Sequence, residues 1–123
     1  MSPVRTKRAY EKPEAADGYR VLVDRLWPRG VRRERLGLDA WVRELAPSSA
    51  LRRWFGHDPA RFAEFGRRYA RELRAGPAAA ALAELERKAA RGTVTLVYGS
   101  RDERHSNAAV LRDLLEAAVR DQA

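Results

Sequence analysis

Two segments of the 123-residue chain hold most of the side chains that could bind or react with a ligand. Residues 24–30 form the first and residues 99–107 the second, and each directly follows a run of aliphatic residues. Together they carry one set of candidate ligand-binding residues: Asp24, Arg25, Trp27, Arg29, Ser100, Arg101 and Asn107. Because guanidinium groups bind phosphates and carboxylates with two parallel hydrogen bonds, and helix N-termini favour anions, this set predicts an anion-binding site. A structural alternative stays open, in which Asp24 pairs with Arg25 or Arg29 and Trp27 covers the sheet edge.

Acid–base chemistry has one candidate pair, His105 with Asp102 three residues before it. An imidazole titrates near neutral pH, and a carboxylate at that spacing could orient it as a general acid or base. Asp24 is the remaining candidate carboxylate. A second pair, His57 with Asp58, is better explained by Asp58 capping a helix. No nucleophile with an obvious base accompanies them, so we favour ligand binding and leave catalysis open.

Residue types exclude several other kinds of site. The chain has no cysteine, which excludes disulfides, thiolate nucleophiles, thiolate zinc sites and iron–sulfur clusters. Its two histidines are far apart in sequence, and no HxxxH motif or cluster of carboxylates accompanies them. We therefore expect neither a metal site nor a cofactor.

Two strands must position the candidate residues. The segments Arg20–Asp24 and Thr93–Tyr98 contain consecutive aliphatic residues, which are typical of strands buried on both faces of a parallel sheet. A shorter first strand is expected within Val4–Tyr10. Ligands of parallel α/β sheets bind beyond the carboxyl ends of the strands, where both candidate segments begin. We predict one α/β domain over residues 1–123, with a small, mostly parallel sheet, Rossmann-like layering and helices on both faces.

Capping residues and apolar spacing predict five helices. The first is capped by Asp39 and runs from Ala40 to Ala46, and the second is capped by Ser48 or Ser49 and ends at Phe55. The other three follow Asp58-Pro59, Pro77, and Ser106 or Asn107. Most aromatic residues have the spacing of a core, and Phe62, Phe65 and Tyr69 form one apolar stripe with Leu73. An alternative for Trp54 or Phe55 is a pocket wall facing Trp27.

The net charge of +8 comes from 22 arginines and only three lysines, and residues 1–35 carry +5 of it. Such an excess favours nucleic-acid binding, but an arginine-rich and alanine-rich composition also follows from codon bias alone. The longest apolar stretch, Ala78–Ala83, is far shorter than the ~20 residues of a membrane helix. A cytoplasmic protein with no membrane partner is therefore expected.

Three functions are compatible with these patterns. The first is binding of an anionic small molecule, phosphorylated compounds included, between the loops 24–30 and 99–107. The second is a basic protein associated with nucleic acid, which the core-like spacing of the aromatic residues makes less favoured. The third is an interaction module, such as a homodimer, without catalysis.

Several long motifs resemble one known family. The run Asp17–Gly30 (DGYRVLVDRLWPRG) is the most specific of them, and four further stretches match: residues 41–48, Leu51–Phe55, Phe65–Leu73 and Val94–Tyr98. Together they resemble the YeaO-like branch of the domain of unknown function family 488, over residues 4–115. The resemblance implies a small bacterial or archaeal α/β protein and names no substrate.

The resemblance also implies a departure from the wider family. Its longer relatives carry a cysteine near the end of the late strand and a Cys-His-Arg segment after it. Here Tyr98 stands near the first position and His105-Ser106-Asn107 near the second. Thiol chemistry is therefore not expected of this chain.

Overall fold

Four parallel strands form the sheet of the computed structural model, which describes residues 4–122. The strands are β1 (Val4–Arg8), β2 (Tyr19–Leu22), β3 (Ala40–Trp41) and β4 (Val94–Tyr98), in the spatial order β1-β4-β2-β3. Strands β2 and β4 are adjacent and parallel, with Val21 opposite Leu96. The predicted pairing of the two aliphatic strands is therefore confirmed, as is the α/β class.

One face of the sheet carries the larger core. Four helices cover it: α2 (Ser49–Phe55), α3 (Phe62–Glu72), α4 (Gly76–Arg91) and α5 (Asn107–Gln122). The predicted stripe of α3 packs here, with Phe65, Tyr69 and Leu73 almost fully buried and Phe62 half-buried. No helix in residues 4–122 is long and apolar enough to cross a membrane.

The opposite face carries a smaller cluster, formed by Ala9, Leu22, Leu36 and Val97. Its only α-helix among the described residues is the single turn α1 (Arg33–Leu36), and Trp27 and Trp41 pack beside it. Helices thus lie on both faces, as predicted, but very unequally.

Three predicted caps begin the helices that surround the sheet edge. The Ser48 hydroxyl accepts the Leu51 N–H, and Asp58 accepts the Ala60 N–H ahead of α3. At α5 the cap is Ser106, whose Oγ accepts the Ala109 N–H at 3.1 Å. Satisfying these otherwise unpaired N–H groups fixes where each helix begins.

The helix predicted from Ala40 to Ala46 is wrong. Ala40 and Trp41 instead pair with β2, and a 3₁₀ turn follows at Arg43–Leu45. The Asp39 carboxylate does not cap a helix, because it accepts the Arg20 N–H at 2.8 Å. A seven-residue helix gains little by itself, whereas pairing with the open edge of β2 satisfies the N–H groups of Asp39 and Val42.

Candidate functional site

An open cavity of about 450 Å³ lies at the edge of the sheet where β2 and β4 end. Both predicted loops contribute to it, and the remaining wall comes from α2 with the residues on either side of it and from Phe65 of α3. Its lining residues are Asp24, Arg25, Leu26, Ala46, Pro47, Ser49, Arg52, Arg53, Phe55, His57, Phe65, Ser100, His105, Ser106 and Asn107. The volume lies within the range of small-molecule sites.

The two loops are held together by the Asp24 carboxylate. It accepts the Gly99 N–H at 2.8 Å and the Asn107 side-chain amide at 3.2 Å, and that amide also donates to the Val23 carbonyl. Burial raises the pKa of Asp24, although these two donors and the charge of Arg52 act in the opposite direction. Asp24 therefore joins one loop to the other. Its partners are Gly99 and Asn107, not Arg25 or Arg29, with which the structural alternative had paired it.

Three arginines, Arg25, Arg52 and Arg53, form the basic rim of the cavity. Among residues 4–122, the only hydrogen bond found for their guanidinium groups is a long one of 3.5 Å, from Arg25 to the Pro47 carbonyl. Arg52 also acts electrostatically on Asp24. None of them belongs to an ion pair found within residues 4–122. The three arginines of the basic rim thus line the cavity without an ion-pair partner among residues 4–122.

Two anchors position the loops that carry this rim. Arg8 of β1 donates from Nε to the Ser100 carbonyl at 2.8 Å and holds the loop after β4. Glu72, at the end of α3, accepts both the backbone N–H and the hydroxyl of Ser48. The start of α2, and with it Pro47, is thereby fixed against α3.

His105 lines the cavity and pairs with Asp102, as its spacing predicts. Its Nδ1 lies 2.8 Å from Asp102 Oδ2, while Asp102 Oδ1 accepts the backbone N–H groups of Arg104 and His105. The bond with the His105 side chain is the main cause of a lowered pKa for Asp102. The rings of Phe62 and His105 pack edge-to-face, with their centroids 5.1 Å apart. A catalytic role for this pair stays a prediction.

Three predicted ligand-binding residues do not line the cavity: Trp27, Arg29 and Arg101. Trp27 lies on the opposite face of the sheet, where its indole N–H donates to the Val31 carbonyl and its ring packs edge-on against Trp41. The chain turns away from the cavity after Leu26, so a ligand bound there would meet Arg25 and not Arg29. Trp27, Arg29 and Arg101 could bind a ligand only at a site outside this cavity.

The predicted ligand-binding set did not include the cavity residues that lie on α2 or next to it in the chain. Ser49, Arg52 and Arg53 line the cavity, but in the sequence they are far from both predicted loops, 24–30 and 99–107. Phe55 is a cavity wall, as one alternative held, but Trp27 is not opposite it. His57 also lines the cavity, in a left-handed conformation with φ of 57°. A non-glycine residue in that conformation is uncommon. It is visible only in the structure, so no sequence pattern pointed to His57 as a cavity residue.

A family model described as the inactive DUF488-N3 subclade, DUF488-N3i, matches residues 3–123. The chain belongs to this family.

Relatives of the family agree over most of their length. The "Uncharacterized protein Rv3073c" of Mycobacterium tuberculosis is 46% identical over 112 residues, which cover 91% of this chain and 92% of the relative. "Uncharacterized protein YeaO" of Escherichia coli is 37% identical over 115 residues, covering 93% and 97%. The resemblance to the YeaO-like branch is thereby confirmed. No solved structure matches the chain.

Within this DUF488-N3i chain, the position expected to hold a cysteine in longer relatives is inert. Tyr98 is 1% exposed, and its side chain belongs to the larger core. Burial, with nearby carboxylates, raises the pKa of its phenol to about 12. A neutral, buried phenol offers no nucleophile to the cavity.

Proposed function

We propose that the protein binds an anionic small molecule, phosphorylated compounds included, in the cavity between the loops 24–30 and 99–107. One observation carries the proposal: the basic rim lacks ion-pair partners among residues 4–122, while the cavity's only lining carboxylate, Asp24, is already held by two donors. Unpaired guanidinium groups around a concave site are suited to phosphates and carboxylates.

Binding without turnover is the form of this proposal that the family supports. Its description as an inactive subclade agrees with the cavity lining described for residues 4–122, where the Ser100 and Ser106 hydroxyls donate to backbone carbonyls and not to a carboxylate or imidazole. His105, oriented by Asp102, would then serve as a ligand contact rather than as an acid or base.

The test is calorimetric titration of phosphate, sulfate and AMP into wild type and the variants Arg25→Ala and Arg52→Ala. Each guanidinium contact belongs to the charge-assisted class worth about 1.5–3 kcal/mol. Loss of either side chain should therefore weaken binding by roughly ten- to a hundred-fold. Arg52→Lys should also weaken it, because a lysine keeps the charge but loses the planar pair of donors.

Arg29→Ala is the matched control. It removes the same charge from the same loop as Arg25→Ala, but Arg29 lies outside the cavity lining. Binding close to the wild-type affinity is expected, with circular dichroism verifying the fold of each variant. Equal weakening by Arg25→Ala and Arg29→Ala would indicate a diffuse basic surface instead of a site.

A further inference from the structure

The cavity offers more than charge, since apolar side chains form much of its wall. They are Leu26, Ala46, Pro47, Phe55 and Phe65. Phe55 and Phe65 stack with their ring centroids 4.3 Å apart, and both are almost fully buried in the core. Each ring therefore presents only a small, rigidly held part of its surface to the cavity.

Leu26 extends this apolar wall to the mouth of the cavity. It is 67% exposed, and Tyr10 is the only other large hydrophobic residue among those described that is exposed. Leu22 and Val23, four and three residues earlier, are completely buried. Most of the Leu26 side chain is in contact with water, so a ligand that covers it would remove apolar surface from water.

The imidazole rings of His57 and His105 also line the cavity. His57 lies 6.3 Å from the Phe55 ring and His105 lies 5.1 Å from the Phe62 ring, measured between centroids. A bare phosphate or sulfate would use the basic rim but would leave the apolar wall and most of the 450 Å³ unfilled. The cavity is thus matched to a ligand with two chemically different parts.

We infer that the ligand is an organic anion whose phosphate or carboxylate group is attached to a flat aromatic body. The anionic group contacts the basic rim, and the aromatic body packs on Leu26 and on the imidazoles of His57 and His105, with Phe55 and Phe65 behind them. This inference rests on the proposed function and adds the chemical class of the ligand.

The experiment compares three probes of one anion type: inorganic phosphate, glycerol 3-phosphate and phenyl phosphate. Each is titrated into wild type, Leu26→Ser and the control Tyr10→Ser, which removes the other exposed apolar side chain at a position outside the cavity. Wild type should bind phenyl phosphate roughly ten-fold or more tightly than the other two probes, because only the phenyl ring covers the apolar wall.

The variants should separate the two parts of the ligand. Leu26→Ser should reduce the preference for phenyl phosphate several-fold and leave the affinity for inorganic phosphate unchanged, while Tyr10→Ser should change neither. Near-ultraviolet circular dichroism verifies that both variants keep the wild-type packing.

Each contrary result has a distinct meaning. Equal affinity for all three phosphates, still lost in Arg52→Ala, would overturn the aromatic ligand and keep the proposed function. Equal affinity for glycerol 3-phosphate and phenyl phosphate, or a preference that Leu26→Ser does not alter, would overturn the aromatic contact. Absence of binding by every probe would overturn both proposals.

Discussion

At the scale of single residues, Asp17 holds together the side of the molecule that faces away from the larger core. Its carboxylate is completely buried and accepts bonds from Lys7 at 3.2 Å, Arg20 at 2.7 Å and the backbone N–H of Glu14 at 3.0 Å. Its carbonyl accepts the Thr95 hydroxyl. Through its carboxylate Asp17 links β1, the turn before β2 and β2, and through its carbonyl it also links β4.

The charge of Asp17 should make stability depend on acid pH. Burial raises the pKa of this carboxyl, but the bonds from Glu14 N–H, Lys7 and Arg20 outweigh burial and bring the pKa below the ordinary value of 3.8. A carboxyl with a lowered pKa contributes stability above pH 3.8 that is lost as the pH falls through the lower folded value. Urea denaturation followed from pH 7 to pH 2 should therefore show falling stability in that acid range.

Asp17→Asn tests the same contact at neutral pH. It leaves the buried charges of Lys7 and Arg20 without their carboxylate, so we expect the free energy of unfolding to fall by about 3–5 kcal/mol, with a flatter acid dependence. Glu14→Gln is the control, because Glu14 also bonds Lys7 but is exposed. Equal effects of the two substitutions would contradict the special role of Asp17.

At the scale of elements, α3 connects the core to the cavity. The Phe65 ring stacks on Phe55 of α2 at 4.3 Å and lies 5.6 Å from the ring of Tyr69 one turn later, measured between centroids. The Tyr69 hydroxyl donates in turn to the Leu45 carbonyl. The helix thereby carries an aromatic stack that both fills the core and forms one wall of the cavity.

Phe65→Ala should destabilise the protein by about 3–5 kcal/mol, because it leaves a void among closely packed rings. The measurement is the free energy of unfolding in urea, compared with Phe62→Ala, whose ring is only half-buried. We expect a clearly smaller loss for Phe62→Ala. A midpoint for Phe65→Ala equal to that of wild type would show that this face of α3 is not packed as described.

At the scale of the whole molecule, the positive charge is unevenly neutralised. On α3, Arg67, Arg68 and Arg71 all lie within 3.7 Å of the Glu64 carboxylate, and on α4 Glu84 pairs with Arg87. The basic rim of the cavity has no such partners among residues 4–122. The net charge of +8 therefore includes guanidinium groups at the cavity that form no ion pair among residues 4–122, unlike the paired arginines of α3 and α4.

Salt should distinguish a small-molecule site from a nucleic-acid surface. Between 50 and 200 mM salt, binding that neutralises six to ten phosphates weakens by roughly 10³–10⁵-fold, while a site with two or three contacts loses far less. We expect phenyl phosphate to lose less than roughly ten-fold in affinity over this range. An oligonucleotide that still binds at the higher salt and displaces phenyl phosphate would favour the nucleic-acid alternative.

Features carried by a few neighbouring residues could be predicted from the sequence. The aliphatic runs of β2 and β4 implied parallel buried strands, Ser48, Asp58 and Ser106 marked helix starts, and the three-residue spacing of Asp102 and His105 implied their pairing. These features depend on hydrogen bonds and side-chain periodicity within one or two turns of the chain, which a sequence displays directly.

The tertiary structure alone decided which of these residues share a cavity. Asp24 meets Gly99 across 75 positions of sequence. Arg52 and Arg53 reach the same cavity from α2, and His57 reaches it from the turn after that helix. It also decided that Ala40–Trp41 pairs with β2 instead of starting a helix, and that the chain turns after Leu26, which separates Arg25 from Arg29. Such outcomes depend on contacts between distant segments, whose free energies are gained only once the sheet edge and the helices have come together.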